Sequence, residues 1–538
     1  MISKLEKYPI IAICTLVFLM CLVSFSMLDV TIMEARNLIT AREMVNDGNW
    51  LLTTLNGEPR YQKPPLPTWL TACTALIFGF KNILALRFPG ILMIALTGIF
   101  SYLLSVRLVA NKRQAFINAL ITISSFYVIG IVIEAPWDIF THGFMLVAIY
   151  QLFQLFEKKE KYWKHTLMAG FFFGLSILSK GPISLYALLL PFIIAYGVVY
   201  QYKGFKQKAF SLFSFVLLAL IVGGWWFLYV RLEDPQTFTE ITSKETGNWG
   251  SYNVRPFYYY WSFFTQSGLW TIPALIALLY PYMKSRVSNL KAYRLSFWWT
   301  ILSVVLLSVI PEKKSRYLMP VLIPLAINTG FYVHYLVTHF KNISNKKESI
   351  PVYFNFGLVG LIGVLFPISF FFIKDNLHGY LFWFVLASIG LFIIGTLLLN
   401  SLRKKNILNV LYASIGFLII AMITLPPLAA AFQTRHDQTI DMLPNEIELY
   451  SFGYVAPEMI WQYGDKIPQI KPNDSTYNFP IAKQFGMLVQ ELKKDEQAHL
   501  ETLYKVEYQE TFDLNTKPIG EKGYRKRLAS QFYLLTKK

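Results

Sequence analysis

The chain has 538 residues, of which 54% are hydrophobic and only 15% are charged, and its formal net charge is +18. Soluble proteins carry nearer to a quarter of charged residues, so the composition excludes an ordinary soluble protein. A net charge of this size could indicate nucleic-acid binding, but the basic residues lie beside apolar segments, which excludes nucleic acid as a partner.

Thirteen apolar blocks run along the chain, each near the length of about 20 residues that a helix needs to cross a hydrocarbon core of about 30 Å. This pattern predicts an all-α polytopic membrane protein with about 13 transmembrane helices. The predicted spans cover residues 8–28, 86–106, 114–133, 138–156, 165–181, 183–200, 209–230, 264–283, 294–311, 317–339, 351–373, 379–400 and 407–431.

Basic residues concentrate in the segments that lie on one side of the membrane if the spans cross it alternately. In the N-terminal segment and in the loops that follow even-numbered spans, with Arg294 at the edge of the ninth span included, the excess of basic over acidic residues equals the whole net charge of +18. Cytoplasmic loops of membrane proteins carry such an excess of Lys and Arg. We therefore expect the N-terminus in the cytoplasm and, after an odd number of spans, the C-terminal part outside.

Three segments are left on the outer side, and they suggest a division into two domains. The loop 29–85 contains a predicted helix, then the proline-rich elbow NGEPRYQKPPLPTWL at 56–70, then an apolar stretch expected to lie in the membrane interface. The loop 231–263 is rich in Trp, Tyr, Thr and Gly. We predict a transmembrane domain over residues 1–431 and a soluble domain over residues 432–538.

The tail has a higher density of charge than the preceding chain and a mixture of strand and helix patterns. IELYSFGYV at 447–455 and YKVEYQETF at 504–512 are predicted strands. AKQFGMLVQELKKDEQAHLETL at 482–503 is a predicted helix. The tail is therefore expected to form a small α/β domain.

Ionisable side chains collect at the predicted outer edge, where a charge near the hydrocarbon is costly and therefore indicates function. They are Asp29, Glu34, Arg36, Lys63, Glu134, Asp138, Lys180, Glu312, Lys313, Lys314 and Arg316. Lys and Arg can hold the charge of a lipid phosphate. A carboxylate can take the proton of a hydroxyl that attacks a sugar carbon. The combination favours the transfer of a sugar from a lipid phosphate.

Several of these residues also have a purely structural explanation. Asp29 and Asp138 could equally cap neighbouring helices. Lys63 could extend from the start of a helix towards the headgroups. The cations at 313–316 are harder to explain as a solvated turn, because they oppose the bias of basic residues towards the cytoplasm.

The stretch EARNLITAREMVNDGNWLLTTLNGEPRYQKPPLPTWL resembles the first outer loop of the aminoarabinose lipid A transferase family, which is similar to protein O-mannosyltransferases within the GT-C class of membrane glycosyltransferases. The residues that match the family pattern in order are Glu34, Arg36, Arg42, Glu43, Met44, Gly48, Trp50, Leu55, Asn56, Gly57, Lys63, Pro64, Pro65 and Leu66. Further matches are LSKGP at 178–182, RPFYYY at 255–260 and SRYLMP at 315–320. The resemblance covers about residues 8–340.

The resemblance implies a GT-C fold and transfer of a sugar from a polyprenyl (undecaprenyl) phosphate carrier to a cell-envelope acceptor, such as lipid A or another lipid or glycan. The reaction would take place at the periplasmic face of the bacterial inner membrane. The resemblance also implies acids at the active centre in the first loop and at the start of the fourth span. The candidate catalytic residues are Asp29, Glu34 and Asp138, and the candidate substrate-binding residues are Arg36, Tyr61, Lys63, Lys180, Lys314, Arg316 and Tyr317.

Two positions depart from the family pattern. Met33 replaces an aspartate, so the acid role falls to Asp29, Glu34 or Asp138. Gln62 replaces a glutamate that the resemblance implies as a metal ligand, and the loss of a carboxylate weakens a cation site. The sequence implies no definite cofactor, and a divalent metal stays an open alternative.

Two further classes of function are alternatives to an enzyme. A transporter or flippase for lipid-linked sugars typically has inverted repeats and charges at the bilayer midplane, whereas the charges of this chain gather at one face. A non-catalytic glycolipid-binding or assembly protein stays an alternative, because Met33 and Gln62 depart from the pattern of the enzymes.

Overall fold

The computed structural model describes residues 2–202, 205–434, 439–444, 447–473 and 476–538. Its helices are α1 (Ile2–Lys7), α2 (Pro9–Cys21), α3 (Ser24–Met27), α4 (Ile32–Asp47), α5 (Leu66–Phe78), α6 (Ile83–Val109), α7 (Lys112–Ser124), α8 (Phe126–Glu134), α9 (Pro136–Glu157), α10 (Trp163–Lys180), α11 (Leu190–Tyr200), α12 (Ala209–Glu233), α13 (Pro235–Ser251), α14 (Thr271–Ala277), α15 (Tyr280–Met283), α16 (Leu290–Val309), α17 (Leu322–His339), α18 (Lys346–Leu365), α19 (Phe370–Ile373), α20 (Leu381–Arg403), α21 (Ile407–Ala429), α22 (Pro457–Tyr463) and α23 (Lys494–Leu503). Its strands are β1 (Thr54–Leu55), β2 (Glu58–Pro59), β3 (Leu449–Phe452), β4 (Pro472–Asn473), β5 (Thr476–Tyr477), β6 (Gln484–Val489), β7 (Tyr504–Asp513) and β8 (Ala529–Lys537).

Shorter helical turns link these elements. A π-helical turn at Leu185–Leu189 leads into α11. The 3-10 segments are Phe205–Lys208, Phe257–Tyr260, Phe263–Trp270, Ser315–Val321, Phe340–Asn342, Phe366–Ser369, Lys374–Asn376, Ala430–Phe432, Ile440–Met442 and Lys526–Leu528.

All thirteen predicted spans coincide with helical structure, but not all are long and apolar enough to cross a membrane. Among the described residues, the nine runs that qualify are Pro9–Met27, Ile83–Val109, Pro136–Glu157, Phe205–Glu233, Leu290–Val309, Ser315–Asn342, Lys346–Asn376, Leu381–Arg403 and Ile407–Phe432. α7 and α8 form a tenth if the pair, bent by 40°, is one span. The other three predicted spans are α10, the shorter run through α11, and the broken run 263–283. The chain is a multi-pass membrane protein.

Glycines account for the end of one predicted span and for a break inside another. α10 ends where Gly181 adopts a φ of 78°, and Pro182 follows it, so the chain cannot continue as a regular helix. In the run 263–283, Gly268 has a φ of 66°, and a β-carbon there would lie 2.9 Å from the β-carbon of Phe126. The end of α10 agrees with the predicted boundary between the spans 165–181 and 183–200. The break at Gly268 lies inside the predicted span 264–283, and the pattern of apolar residues does not reveal it.

The outer loop 29–85 is built as the sequence indicates. Thr31 caps α4 by accepting the N–H of Glu34 at 3.4 Å, and the helix stops at Gly48 in the left-handed conformation. Asn56 and Gly57 both have positive φ and make the tight turn that joins β1 to β2. The short apolar helix expected after the elbow is α5, whose 13 residues are too few for a span.

The tail contains a four-stranded sheet in the order β3-β6-β8-β7, in which β3 and β6 are parallel and the other pairs are antiparallel. The predicted strands coincide with β3 and β7. The prediction of one helix over residues 482–503 is wrong in its first half, which forms β6, and right in its second half, which forms α23. β6 is buried from Phe485 to Val489, and a short apolar run of this kind does not distinguish a strand from a helix.

The tail packs directly on the outer loop. The guanidinium of Arg42 in α4 donates to the carbonyl oxygens of Ile460 at 3.2 Å and Asp465 at 3.0 Å. The side chain of Asn56 in the hairpin exchanges two hydrogen bonds of 2.7 Å with the backbone of Ile467. The hairpin that carries the elbow is therefore held between the membrane domain and the tail.

Candidate active site

A cavity of about 1290 Å³ lies where the outer loops meet the ends of the helices. Its wall is formed by the start of α4, the hairpin and elbow, the joint between α8 and α9, the joint between α10 and α11, α13, and the segments 252–260 and 310–317. The loops and helix ends among these segments are the ones that were predicted to lie on the outer side. The charged residues of the predicted outer loops thus line one cavity.

Positive charge dominates the wall of this cavity, which carries nine cationic side chains and four carboxylates. The cations are Arg36, Arg60, Lys63, Lys180, Lys244, Arg255, Lys313, Lys314 and Arg316, and the carboxylates are Glu58, Glu134, Glu245 and Glu312. A concave surface lined mainly by one sign of charge attracts ligands of the opposite sign. The arrangement suits an anionic ligand.

Arg60 holds the elbow against the neighbouring helices. Its guanidinium is buried and donates to the carbonyl oxygen of Arg36 at 3.1 Å and to the hydroxyl of Thr40 at 2.9 Å. The same group lies 4.9 Å from the ring centroid of Trp137, at a distance typical of a cation–π contact. These contacts and the fixed φ angles of the prolines keep Lys63 in place.

Lys63 is half-buried at the cavity wall and makes neither an ion pair nor a hydrogen bond with any described residue. Burial, together with the positive charge of Lys180, lowers the pKa of Lys63 to about 8. A cation that is partly withdrawn from water and has no partner is unfavourable unless a ligand supplies the opposite charge. Lys63 is thus a strong candidate to contact an anionic group.

Lys180 lies at the end of α10 and pairs with Asp138 at the start of α9. Its ammonium also lies 5.3 Å from the ring centroid of Tyr317. Lys180 and Tyr317 line the cavity, whereas Asp138 lies behind them and is buried. Asp138 therefore positions and neutralises Lys180, and its Oδ2 atom has no hydrogen-bond partner among the described residues.

The segment 310–317 is fixed to the segment 252–260 by a backbone hydrogen bond of 3.2 Å from Arg255 to Pro311 and by the side chain of Lys313. The buried ammonium of Lys313 donates to the carbonyl oxygens of Ile310 at 2.6 Å and Arg255 at 3.0 Å. Lys314 forms an ion pair of 2.6 Å with Glu312. Arg316 is half-buried in the wall and has no ion pair or hydrogen bond with the described part of the chain.

The three predicted catalytic acids do not line the cavity. Glu34 is buried and accepts hydrogen bonds of 2.6 Å and 2.8 Å from the guanidinium of Arg87. The burial of Glu34 raises its pKa, while Arg87 acts in the opposite direction. Asp29 is exposed and accepts a hydrogen bond of 3.4 Å from Gln433. Neither of these two acids, nor Asp138, reaches the cavity, and their catalytic role stays a prediction.

Helix geometry explains this placement. Consecutive residues of an α-helix point about 100° apart, so Met33 and Glu34 cannot face the same side of α4. Met33 lines the cavity, and Glu34 points away from it towards α6. The replacement of aspartate by Met33 thus removes a carboxylate from the face that meets the cavity.

Six of the seven predicted substrate-binding residues line the cavity, namely Arg36, Lys63, Lys180, Lys314, Arg316 and Tyr317. Tyr61 does not. It packs beside Trp226, and its hydroxyl donates to Asp234 at 3.0 Å. Tyr61 therefore supports the elbow from behind.

Several residues of the cavity wall were not predicted from the sequence as site residues. Glu134 and Glu312 were recognised as charges at the outer edge but were not assigned to the site. Arg60 lies in the elbow, so its position three residues before Lys63 could have identified it. Glu245 stands on α13, where no motif marks it.

The donor set of the wall does not suit a metal ion. Among the residues that the structure describes, no three or more His, Cys, Asp and Glu side chains are grouped so as to hold a metal. Gln62 offers a neutral amide beside Lys63, and the four carboxylates stand among nine cations. Hard divalent cations need several oxygen ligands with negative charge.

Comparisons with known proteins agree with the resemblance noted in the sequence. Residues 62–226 match the family described as dolichyl-phosphate-mannose-protein mannosyltransferase. An uncharacterized protein of Aquifex aeolicus is 28% identical over 317 residues, covering 55% of this chain and 58% of that protein. The undecaprenyl phosphate-alpha-4-amino-4-deoxy-L-arabinose arabinosyl transferase 1 of Proteus mirabilis is 27% identical over 383 residues, covering 67% of each chain. The corresponding transferase of Photorhabdus laumondii is 26% identical over 318 residues, covering 55% of this chain and 53% of that protein.

These sequence matches span between about half and two thirds of the length of the relatives. The crystal structure of ArnT from Cupriavidus metallidurans bound to undecaprenyl phosphate superposes with a TM-score of 0.70 at 16% identity, covering 98% of this chain and 97% of that one. The same protein in the apo state gives a TM-score of 0.68 at 15% identity, covering 99% and 98%. The predicted GT-C fold with a small C-terminal domain that contains strands is confirmed, and so is the resemblance to the aminoarabinose lipid A transferases.

Proposed function

We propose that this GT-C protein is a membrane glycosyltransferase that transfers a sugar from a polyprenyl-phosphate carrier to an acceptor in the cell envelope. The observation that carries the proposal is the set of cations in the cavity that lack a carboxylate partner, above all Lys63 and Arg316. The sequence relatives support undecaprenyl phosphate as the carrier, and 4-amino-4-deoxy-L-arabinose is the first sugar to test.

Among the half-buried cations of the wall, three are free to bind a phosphate. Lys63 and Arg316 have no ion pair among the described residues, and Arg36 has only a weak contact of 3.8 Å with the sulfur of Met33. The Nε atom of Arg36 is buried and has no hydrogen-bond partner in the described chain. Charge-assisted hydrogen bonds to a phosphate would satisfy all three groups.

In the proposed reaction an acceptor oxygen forms a bond to the anomeric carbon while the bond between this carbon and the carrier phosphate oxygen breaks. The carrier phosphate leaves with one more negative charge than it had in the donor. Lys63 and Arg316 stabilise this charge as it develops, which lowers the barrier. Asp138 keeps Lys180 in place beside Tyr317, and no step of the reaction uses a metal.

We place the reaction at the periplasmic face of the bacterial inner membrane, with the N-terminus in the cytoplasm and the tail outside. The distribution of basic residues supports this orientation. The cavity and the tail share one side, because α4 lines the cavity and is bonded to the tail through Arg42. Lipid A or another lipid or glycan of the envelope is the acceptor.

A transfer assay with the full chain in lipid nanodiscs tests this function. The substrates are undecaprenyl phosphate carrying labelled 4-amino-4-deoxy-L-arabinose, a hexose or another pentose, with lipid A or an extract of envelope lipids as acceptor. Release of undecaprenyl phosphate and label in the acceptor are measured together. We expect Lys63→Met to reduce turnover by about 10²- to 10³-fold, the loss typical for removal of one group that stabilises a leaving charge.

Lys81→Met is the matched control, because Lys81 is an exposed lysine of the same outer loop that does not line the cavity. This variant should keep the turnover of the wild type. If the wild type binds undecaprenyl phosphate but releases none from any donor and labels no acceptor, the protein is a binding protein and the proposal is wrong. Movement of the intact donor across the bilayer without transfer would instead identify a flippase.

A further inference from the structure

We propose that the tail carries a membrane-docking loop of its own, which binds the headgroups of anionic phospholipids beside the last span. The contact is made by residues 516–526 between β7 and β8, the tail loop. None of these residues lines the cavity. The inference therefore goes beyond the proposed transfer of a sugar and does not depend on it.

The tail loop starts at the surface of the membrane. The N–H of Thr434 donates to the carbonyl oxygen of Thr516 at 3.1 Å, and Thr434 lies just beyond the last apolar run, Ile407–Phe432. The 26 residues of this run form a helix about 39 Å long, which exceeds the hydrocarbon core of about 30 Å and ends within the headgroup layer. Gln433 donates to Asp29, which follows the first apolar run, at 3.4 Å, so the ends of two spans meet here. Thr516 is therefore level with the headgroups.

The base of the tail loop is held in a definite position. The buried side chain of Asn515 donates to the carbonyl oxygen of Arg525 at 3.0 Å and accepts the N–H of the same residue at 2.8 Å. The guanidinium of Arg527 donates to the two carboxylate oxygens of Glu458 in α22 at 2.7 Å and 2.9 Å. The two ends of the loop are thus fixed to each other and to the body of the tail.

The projecting part of the tail loop presents an isoleucine at a turn. The N–H of Glu521 donates to the carbonyl oxygen of Pro518 at 3.2 Å, and Gly520 has a φ of 92°, as the third residue of a type II β-turn requires. The turn places Ile519 at its corner, where 80% of the residue is exposed. An isoleucine in water contributes nothing to the fold, whereas the interfacial layer of a bilayer removes its apolar surface from water.

Basic side chains surround this isoleucine. The exposed cations of the tail loop are Lys517, Lys522, Arg525 and Lys526. The loop contains one acid, Glu521, and none of the four cations forms an ion pair within the described part of the chain. Each cation near an anionic membrane surface raises the affinity about fivefold. Solvation alone would account for the lysines, but not for an apolar side chain held at the tip between them.

Anionic phospholipids fit both features of the tail loop at the place where it stands. The three residues from Thr516 to Ile519 span at most about 10 Å, so the isoleucine stays within reach of the boundary between headgroups and acyl chains. The phosphates of the headgroups lie beside the cations, and the acyl chains below them accept the isoleucine. Dissolved phosphate would supply the charge but no apolar environment.

A fluorescent label at the tip tests the docking in the full chain. The three natural cysteines are first replaced by Cys14→Ser, Cys21→Ser and Cys73→Ser. Ile519→Cys is then labelled with a polarity-sensitive dye, and the protein is placed in nanodiscs that contain phosphatidylglycerol. We expect emission at a shorter wavelength than in water, and quenching by lipids that carry a nitroxide in the headgroup or at the top of the acyl chain.

Ile481→Cys is the matched control for the label. Ile481 is an isoleucine of the tail that is 99% exposed. It precedes the start of β6, where Gln484 pairs with Thr536, whereas the tail loop lies at the opposite end of the sheet, beyond the pair of Asp513 with Ala529. The dye at position 481 should emit as in water and escape quenching. Equal emission and quenching at positions 519 and 481 would overturn the docking of the tail loop.

The role of headgroup charge has its own test. Lys517→Gln combined with Lys522→Gln should lower the ratio of docked to free loop by about 25-fold, since each lost charge costs about fivefold. The matched control, Lys483→Gln combined with Lys537→Gln, removes two exposed lysines from the opposite end of the sheet and should leave the ratio unchanged.

The composition of the nanodiscs identifies the lipid. Replacing phosphatidylglycerol by phosphatidylcholine should weaken quenching at position 519. Quenching that ignores this replacement, or that survives the loss of Lys517 and Lys522 unchanged, would overturn the assignment to anionic headgroups. Quenching that requires added lipid A and is absent with phosphatidylglycerol would overturn it as well, because the loop would then bind a specific lipid and not the surrounding leaflet.

Discussion

The pH dependence of carrier binding should follow the charge of Lys63. Burial and the neighbouring Lys180 lower the pKa of Lys63 from 10.5 to about 8, which corresponds to about 3 kcal/mol against the charged form in the folded protein. The unfolded chain therefore binds more protons than the folded chain between pH 8 and pH 10.5, so the contribution of Lys63 to folding stability rises over this range. The bound phosphate uses the charged form, so carrier affinity should change in the opposite sense.

A charged hydrogen bond contributes about 1.5–3 kcal/mol, so loss of the charge on Lys63 should weaken binding of undecaprenyl phosphate by about 10- to 100-fold. We expect most of this loss in the wild type between pH 7.5 and 9.5, measured by fluorescence titration in nanodiscs. Lys63→Arg should remove this dependence, because arginine stays protonated throughout the range. Lys63→Met should bind weakly at every pH.

The phosphate of the carrier provides an internal control, since its own second ionisation near pH 6 affects all variants alike. Lys81→Met should reproduce the wild-type curve. An unchanged loss of affinity above pH 8 in Lys63→Met would refute the reasoning, because another group would then carry the dependence. A wild-type affinity that stays constant from pH 7 to pH 9.5 would refute it as well.

Two further outcomes are expected. Asp138→Asn should lower the free energy of unfolding by about 3–5 kcal/mol, measured by thermal or denaturant unfolding, because it leaves Lys180 buried without a counter-charge. The double variant with Lys180→Met should recover stability. An unaltered unfolding midpoint in the single variant would contradict the burial of the pair. Arg42→Ala should release the tail, because three backbone carbonyls of the tail lose their donor. Limited proteolysis should then cleave the chain faster after residue 431. Equal cleavage rates in the variant and the wild type would show that Arg42 does not hold the tail.

The membrane helices could be predicted from the sequence because a hydrocarbon core demands a nearly continuous run of apolar residues. The end of α10 at Gly181 agrees with a predicted boundary between spans. Gly268 breaks the predicted span 264–283 through its backbone conformation, which hydropathy does not report. The same ambiguity explains the tail, where the apolar run of β6 was taken for the first half of a helix.

The cations of the cavity wall could be predicted from the sequence because their predicted position on the outer side opposes the ordinary distribution of charge in membrane proteins. Lys63, Lys180 and Arg316 all line the cavity. The acids were not predictable in the same way. A carboxylate beside the membrane can face the cavity, a buried cation or water. Glu34 and Asp138 each pair with a cation, whereas Asp29 is exposed to solvent. The residues next to each acid in the sequence do not distinguish these cases.

The sequence alone determined that the chain crosses the membrane many times, that its charged loops gather at one side, and that these loops suit a phosphate, since hydropathy and charge are properties of each segment by itself. Only the tertiary structure decided which charges are neutralised and which stay free. Arg87 in α6 and Lys180 in α10 meet their carboxylate partners across long stretches of chain, and Thr31 brings the start of α4 to the end of α8 beside Glu134. Such pairings depend on how helices pack, so no local pattern reveals them.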